Sequence, residues 1–204
     1  MNNAKIIKRI SAYLLDVLLV YVLISLIGSI RFLNPTYDKY VESYEQYNEV
    51  LEKYYNEEID EKEFIKLNSG NLYNISKYSI STSIISIIVI VGYFVFFQKF
   101  AGGQTLGKKI MKIKTVSANS KEVSIVRYLL RLIPVYYLFI GNVFGVFLNI
   151  ILVLTLNGSN FMNTNSIVIY SFLVLGIISF VMMCVSQEKI GLHDRIAKTK
   201  VVME

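Results

Sequence analysis

The sequence predicts an all-α membrane protein: four transmembrane helices, an extracytoplasmic helical hairpin and a small cytoplasmic β-ribbon. Three observations carry this expectation. Of the 204 residues, 54% are hydrophobic and only 18% charged, against roughly 25% charged in a soluble domain, and the mean hydropathy is +0.49. Four apolar runs reach the length of about 20 residues that a bilayer core of about 30 Å demands. The basic residues collect in every second connection between those runs.

The N-terminal region, 1–33, holds the first run, from about Ile10 to Leu33. It follows Lys5, Lys8 and Arg9 but is longer than a secretory signal core and lacks a small-x-small cleavage site, so a retained anchor is expected. Residues 78–97 form the second span, 134–156 the third and 166–186 the fourth. In lipid each must be helical, because a helix satisfies its own backbone groups, and the strand alternation of a barrel is absent. The N-terminal flank is basic, the connection 34–77 is acidic from Asp38 to Glu63, and 98–133 is basic with Glu122 as its one acid. The connection 157–165 is uncharged and the tail 187–204 is basic again. Basic flanks stay inside, which places both termini in the cytoplasm.

The acidic connection has its own periodicity. Tyr37, Tyr40, Tyr44, Tyr47, Leu51 and Tyr54 follow spacings of three and four, one stripe of a helix. Asn34 is the expected N-cap, with Pro35 at the first helical position. A second helix is expected to start at Asp60, with Glu63 completing a capping-box spacing and Gly70 ending it. Such a hairpin packs its tyrosines together or on headgroups, or offers a protein partner an aromatic surface.

In the basic connection, Gly102 to Lys109 contains the spacing G-x-x-x-x-G-K. A phosphate loop needs Ser or Thr next and a preceding strand; Lys109 stands there, and a membrane helix precedes it. Nucleotide binding is therefore set aside. Met111 to Val116 alternates apolar and basic residues and reads as a strand that could pair with the β-prone Thr199–Val202. Ser124 opens a helix carrying Arg127 and Arg131 on one face, and Pro134 separates it from the third span. There, Gly141 and Gly145 form a small-xxx-small pair and Asn142 and Asn149 share a face, a pattern of helix packing, with a solute pathway as the alternative.

Asp16 lies inside the first span, where a carboxylate costs about 2.5–3.5 kcal/mol at the helix centre and somewhat less nearer the edge. It should face the bundle and have a cation or a polar group as its partner. Arg9, Asp16, Arg127, Arg131 and Asp194 all enter from one membrane face and are expected to form a single cluster, mutual pairing offsetting desolvation.

These residues resemble the RDD family of bacterial multi-pass membrane proteins, named for one arginine and two aspartates. The resemblance rests on Arg9 to Asp16 at the first span, the loop Gly103-Gln104-Thr105-Leu106-Gly107-Lys108, the pair Arg127 and Arg131, and Leu192-His193-Asp194-Arg195 followed by Thr199 and Val201. It implies a fold and a membrane location, and a cation/proton exchange role has been suggested for the family. A single histidine and the lone Cys184 leave little for a metal site, and no nucleophile–base set is visible, so no cofactor and no enzymatic activity are expected. Two functions remain open. One is a small cation or proton-coupled transporter, oligomeric because four short helices barely enclose a pathway. The other is an accessory or regulatory membrane protein that docks a partner through its extracytoplasmic hairpin. The excess of positive charge sits beside apolar runs, which points to a lipid surface and not to nucleic acid.

Overall fold

Three helices are long and apolar enough to cross a membrane: Ile6–Gly28, Ile80–Phe100 and Asn160–Val185. They organise the computed structural model of the protein, which describes residues 2–119, 122–135 and 141–204, with only the backbone of Ser159. Helix α1 is Ile6–Gly28, α2 Tyr37–Tyr55 and α3 Glu61–Tyr78. Helix α4, Ile80–Val91, continues through a wide π-helical stretch, Gly92–Phe97, into the short α5, Gln98–Phe100. Then follow α6 (Leu106–Ile110), β1 (Ile113–Ser117), α7 (Ile125–Leu132), α8 (Val143–Thr155), α9 (Gly158–Val185), α10 (Leu192–Ala197) and β2 (Thr199–Met203). Large apolar side chains on α1 and α9 face outward, among them Leu18, Val22, Leu26, Ile167, Tyr170 and Val185. Exposed apolar area on this scale marks a lipid-facing surface, and the chain is a membrane protein.

The ribbon forms as an antiparallel pair with Ile113 opposite Met203, Thr115 opposite Val201 and Ser117 opposite Thr199. Its outer edge is occupied by the N-terminus: Asn3 bridges Val202, and the Ala4 amide donates to the Val201 carbonyl at 2.9 Å. Both chain ends are thereby fastened to the segment that follows the second long helix.

Several boundaries differ from the sequence expectation. Asn34 does not cap α2. It is buried, and its amide donates to the Gly28 carbonyl at 3.3 Å and to Thr82 Oγ1 at 3.2 Å, so long-range partners claim it and α2 starts at Tyr37. Asp60 does cap α3, accepting from the Glu63 amide at 2.8 Å. Gly70 does not end that helix. The residues beyond it pack on α8 and α9, with Tyr73 edge-on to Phe161 at 5.4 Å, and tertiary packing outweighs the cost of about 1 kcal/mol for a helical glycine. The tyrosine stripe of α2 stacks on itself, Tyr40 to Tyr44 at 6.2 Å and Tyr44 to Tyr47 at 6.4 Å.

The expected third span is not one helix. α8 has 13 residues, a rise of about 20 Å at 1.5 Å per residue, short of the bilayer core. Gly141 precedes it with φ 78°, and Asn142 is its N-cap, accepting from the amides of Phe144 at 2.9 Å and Gly145 at 3.1 Å. The expected Gly141–Gly145 and Asn142–Asn149 helix faces therefore do not exist, because a left-handed glycine and a capping asparagine end helical geometry there. The stretch 136–140 of the expected span lies outside the described residues. The expected loop 157–165 is mostly helical, since α9 starts at Gly158.

Candidate functional site: a buried arginine–aspartate centre

Asp194 occupies the first turn of α10 and is fully buried. Its Oδ2 lies 2.5 Å from Arg9 Nη2 and its Oδ1 lies 2.7 Å from Arg131 Nη1. One carboxylate thus joins α1, α7 and α10. Arg131 Nη1 also donates to Thr199 Oγ1 at 2.6 Å, at the start of β2, and Arg9 Nη1 donates to the Lys189 carbonyl. Burial alone would raise the Asp194 pKa, but the charges of Arg131 and Arg9 outweigh it and hold the group well below the usual carboxylate range.

His193 completes this centre in its neutral form. An arginine can only donate, so the 3.2 Å contact of Arg9 Nη2 makes His193 Nε2 an acceptor, and Nδ1–H then donates to Ser179 Oγ at 2.7 Å. Burial pushes the His193 pKa down to about 3; Asp194 opposes the shift, while Arg131, Arg9 and Lys108 add to it. The 3.4 Å approach of His193 Nε2 to Asp194 is therefore not an ion pair, and the two guanidiniums supply the countercharge.

Asp16 belongs to a second, separate arrangement and has no arginine among its hydrogen-bond partners. It is fully buried and is held by neutral donors: Tyr93 Oη at 2.6 Å, Thr105 Oγ1 at 2.5 Å and the Gly107 amide at 2.7 Å. The glycine-threonine-glycine-lysine loop explains this geometry. Gly103, with φ 92°, makes the turn, and an added Cβ would fall 2.3 Å from the Thr115 carbonyl. Thr105 caps α6, and Gly107 lets that helix touch α1, where a Cβ would meet the Ala12 carbonyl at 2.2 Å. The loop that resembles a phosphate cradle is thus filled by the protein's own carboxylate. Lys108, the last residue of the motif, lies partly buried near both centres. Burial and the charge of Arg131 push its pKa down to about 7, with Asp16 pulling the other way and Arg9 adding to the fall.

The predicted five-residue cluster is therefore divided. Arg9, Arg131 and Asp194 meet; Asp16 faces its own donors; Arg127 donates from Nη1 to Ser117 Oγ at 2.6 Å at the end of β1. The reason is chemical: a carboxylate near a membrane edge is as well satisfied by hydroxyls and an amide as by a guanidinium. Asn142, assigned to helix packing, instead ties α8 to the end of α7, donating to the carbonyls of Ile133 and Val135 at 2.7 Å each. Asn149 donates to Asn165 Oδ1 at 2.8 Å between α8 and α9, and Gly145 brings α8 close to Phe172. Sequence reasoning missed Tyr93, Gln98 and Ser179, and placed Thr199 in the tail motif and the ribbon without its bond to Arg131. Gln98 donates to Thr115 Oγ1 at 2.8 Å and to the Gly103 carbonyl at 3.2 Å. Tyr93 and Gln98 carried a signal, since polar groups in an apolar run face protein. Among the described residues no group of acidic, histidine and cysteine side chains is arranged to hold a metal ion.

A helical membrane protein in which an N-terminal arginine and a tail aspartate lock the first helix to the C-terminal ribbon is the class this site defines. The RDD family model matches residues 3–198, essentially the whole chain, and the chain belongs to the RDD family. No curated protein and no solved structure matches it.

Proposed function

We propose that this RDD-family protein is a non-enzymatic accessory membrane protein, crossing the bilayer four times with both termini cytoplasmic. In this reading the apolar stretch from Pro134 to the end of α8 makes the third crossing and α9 the fourth, the buried charges hold the cytoplasmic face together, and the acidic, tyrosine-lined α2–α3 hairpin meets a protein partner outside. The observation that supports it is the engagement of both buried aspartates. Asp16 accepts three hydrogen bonds and Asp194 two ion pairs, so each is committed to protein donors.

The rival reading, a small cation or proton-coupled transporter working as a homo-oligomer, needs a carboxylate free to exchange an ion near the midplane. Vesicles containing only the purified full chain separate the two. Sodium- or potassium-driven proton flux no greater than in empty vesicles is the expected result. Flux above that background, abolished by Asp16→Asn in a folded variant, would establish the transporter instead.

A further inference from the structure

A cavity of about 490 Å³ lies at the ribbon end of the long helices, between α1, α7 and α9. It forms because α1 packs along α4 and α6 but scarcely along α9. Its floor carries Arg9, Lys108 and Arg131, while its wall on α9 is apolar, with Leu173, Ile177 and Phe180. Ile177 is 54% exposed and Phe180 50%, so the apolar wall runs without a break onto the lipid-facing surface of α9. The volume falls within the usual range of ligand sites, about 300–1,000 Å³.

The charges around the floor do not cancel. Arg9 and Arg131 are permanent cations beside the two carboxylates of Asp16 and Asp194, and Lys108 adds a further positive charge when protonated, the form that an approaching phosphate favours. Asp16 and Asp194 are occupied as described above, and Lys108 Nζ makes no hydrogen bond or ion pair among the described residues. The bonds of Arg131 to Asp194 and Thr199 both leave from Nη1, and Arg131 itself lines the cavity. A basic pocket between membrane helices, open sideways to acyl chains, is suited to an anionic headgroup.

We propose that this cavity binds an anionic phospholipid, with its phosphate at Lys108 and Arg131 and one acyl chain along Leu173, Ile177 and Phe180. The site is independent of whether the protein carries ions or docks a partner. Lys108 serves the fold only through its backbone amide, which donates to Thr105 Oγ1, so its side chain can be changed without touching either aspartate.

The test is native mass spectrometry of the full chain in a neutral detergent, titrated with phosphatidylglycerol, phosphatidylcholine of the same chains, or inorganic phosphate. One phosphatidylglycerol should bind in clear preference to phosphatidylcholine, and inorganic phosphate at equal concentration should not displace it. Lys108→Gln should weaken phosphatidylglycerol by about fivefold, the attraction of one basic residue, with the melting temperature in detergent not lowered, since the change removes a buried charge. Gly176→Leu, which fills the apolar end while sparing every charge, should weaken it as well and carries the test should Lys108→Gln fail to fold. Equal binding of the two lipids, or unaltered binding in both variants, would overturn the proposal. Displacement by inorganic phosphate would overturn its lipid part, leaving a site for the free anion.

Discussion

The single histidine reports directly on the buried centre. Its Nε2 receives a hydrogen bond from Arg9 and its Nδ1 faces Ser179, so the imidazole is neutral with the proton on Nδ1. A folded pKa near 3 against an ordinary 6.5 means that the unfolded chain binds the extra proton first. The stability this group contributes is complete above pH 6.5 and is lost as pH falls from there toward 3. Lys108 acts in the same direction at higher pH: its folded value near 7 against 10.5 costs stability progressively as pH falls through that interval. Nitrogen-15 NMR of the histidine should therefore show a neutral ring at pH 5, whereas an imidazolium at pH 5 would contradict the Arg9–His193 contact. Asp16→Asn tests the neighbouring arrangement. One of the three donors aimed at the carboxylate would face an amide NH2, and a hydrogen bond to a charged group is worth about 1.5–3 kcal/mol. Thermal unfolding in detergent should fall by that amount, and an unchanged melting point would remove Asp16 from the fold's polar framework.

At the scale of elements, close approaches and caps decide which segments meet. The Gly107 position leaves no room between α6 and α1, so Gly107→Ala must push backbone against the Ala12 carbonyl. Overpacking of this kind costs about 1–3 kcal/mol, visible as a lower melting temperature, whereas Gly28→Ala, which meets nothing within 4 Å, should leave it unchanged. The apolar helices and the ribbon were legible in the sequence because hydropathy length and two-residue alternation are local signals. The break before α8 was not, because Gly141 and Asn142 inside an apolar run read equally well as packing residues. Nor was the end of α3 at Tyr78, since Gly70 carries a stop signal that only contacts with α8 and α9 override. For the site, charges in an apolar setting had to find partners, and Arg9, Arg131 and Asp194 did so together. Of the donors to Asp16, Tyr93 was marked by its place in an apolar run, while the Thr105 hydroxyl and the Gly107 amide stayed hidden because neither carries a charge pattern.

For the whole molecule, basic ends and an acidic hairpin divide the two membrane faces in the proposed topology. In a Cys184→Ser background, a membrane-impermeant thiol reagent added outside cells should modify Glu57→Cys and spare Lys112→Cys; labelling of Lys112→Cys would invert that topology. What holds the inner face together is the joint of Arg9, Arg131 and Asp194, which links α1 and α7 to the tail over more than 180 residues of chain separation between Arg9 and Asp194. Its most direct test is the melting temperature of Asp194→Asn in detergent beside that of Arg195→Gln, whose side chain is exposed. Removing the one carboxylate leaves two buried guanidiniums facing each other, a loss of about 3–5 kcal/mol, while the neighbouring change should stay within about 0.5 kcal/mol. A steep fall for Asp194→Asn alone is the predicted result, and equal melting temperatures for the two variants and the native chain would contradict a structural joint at Asp194.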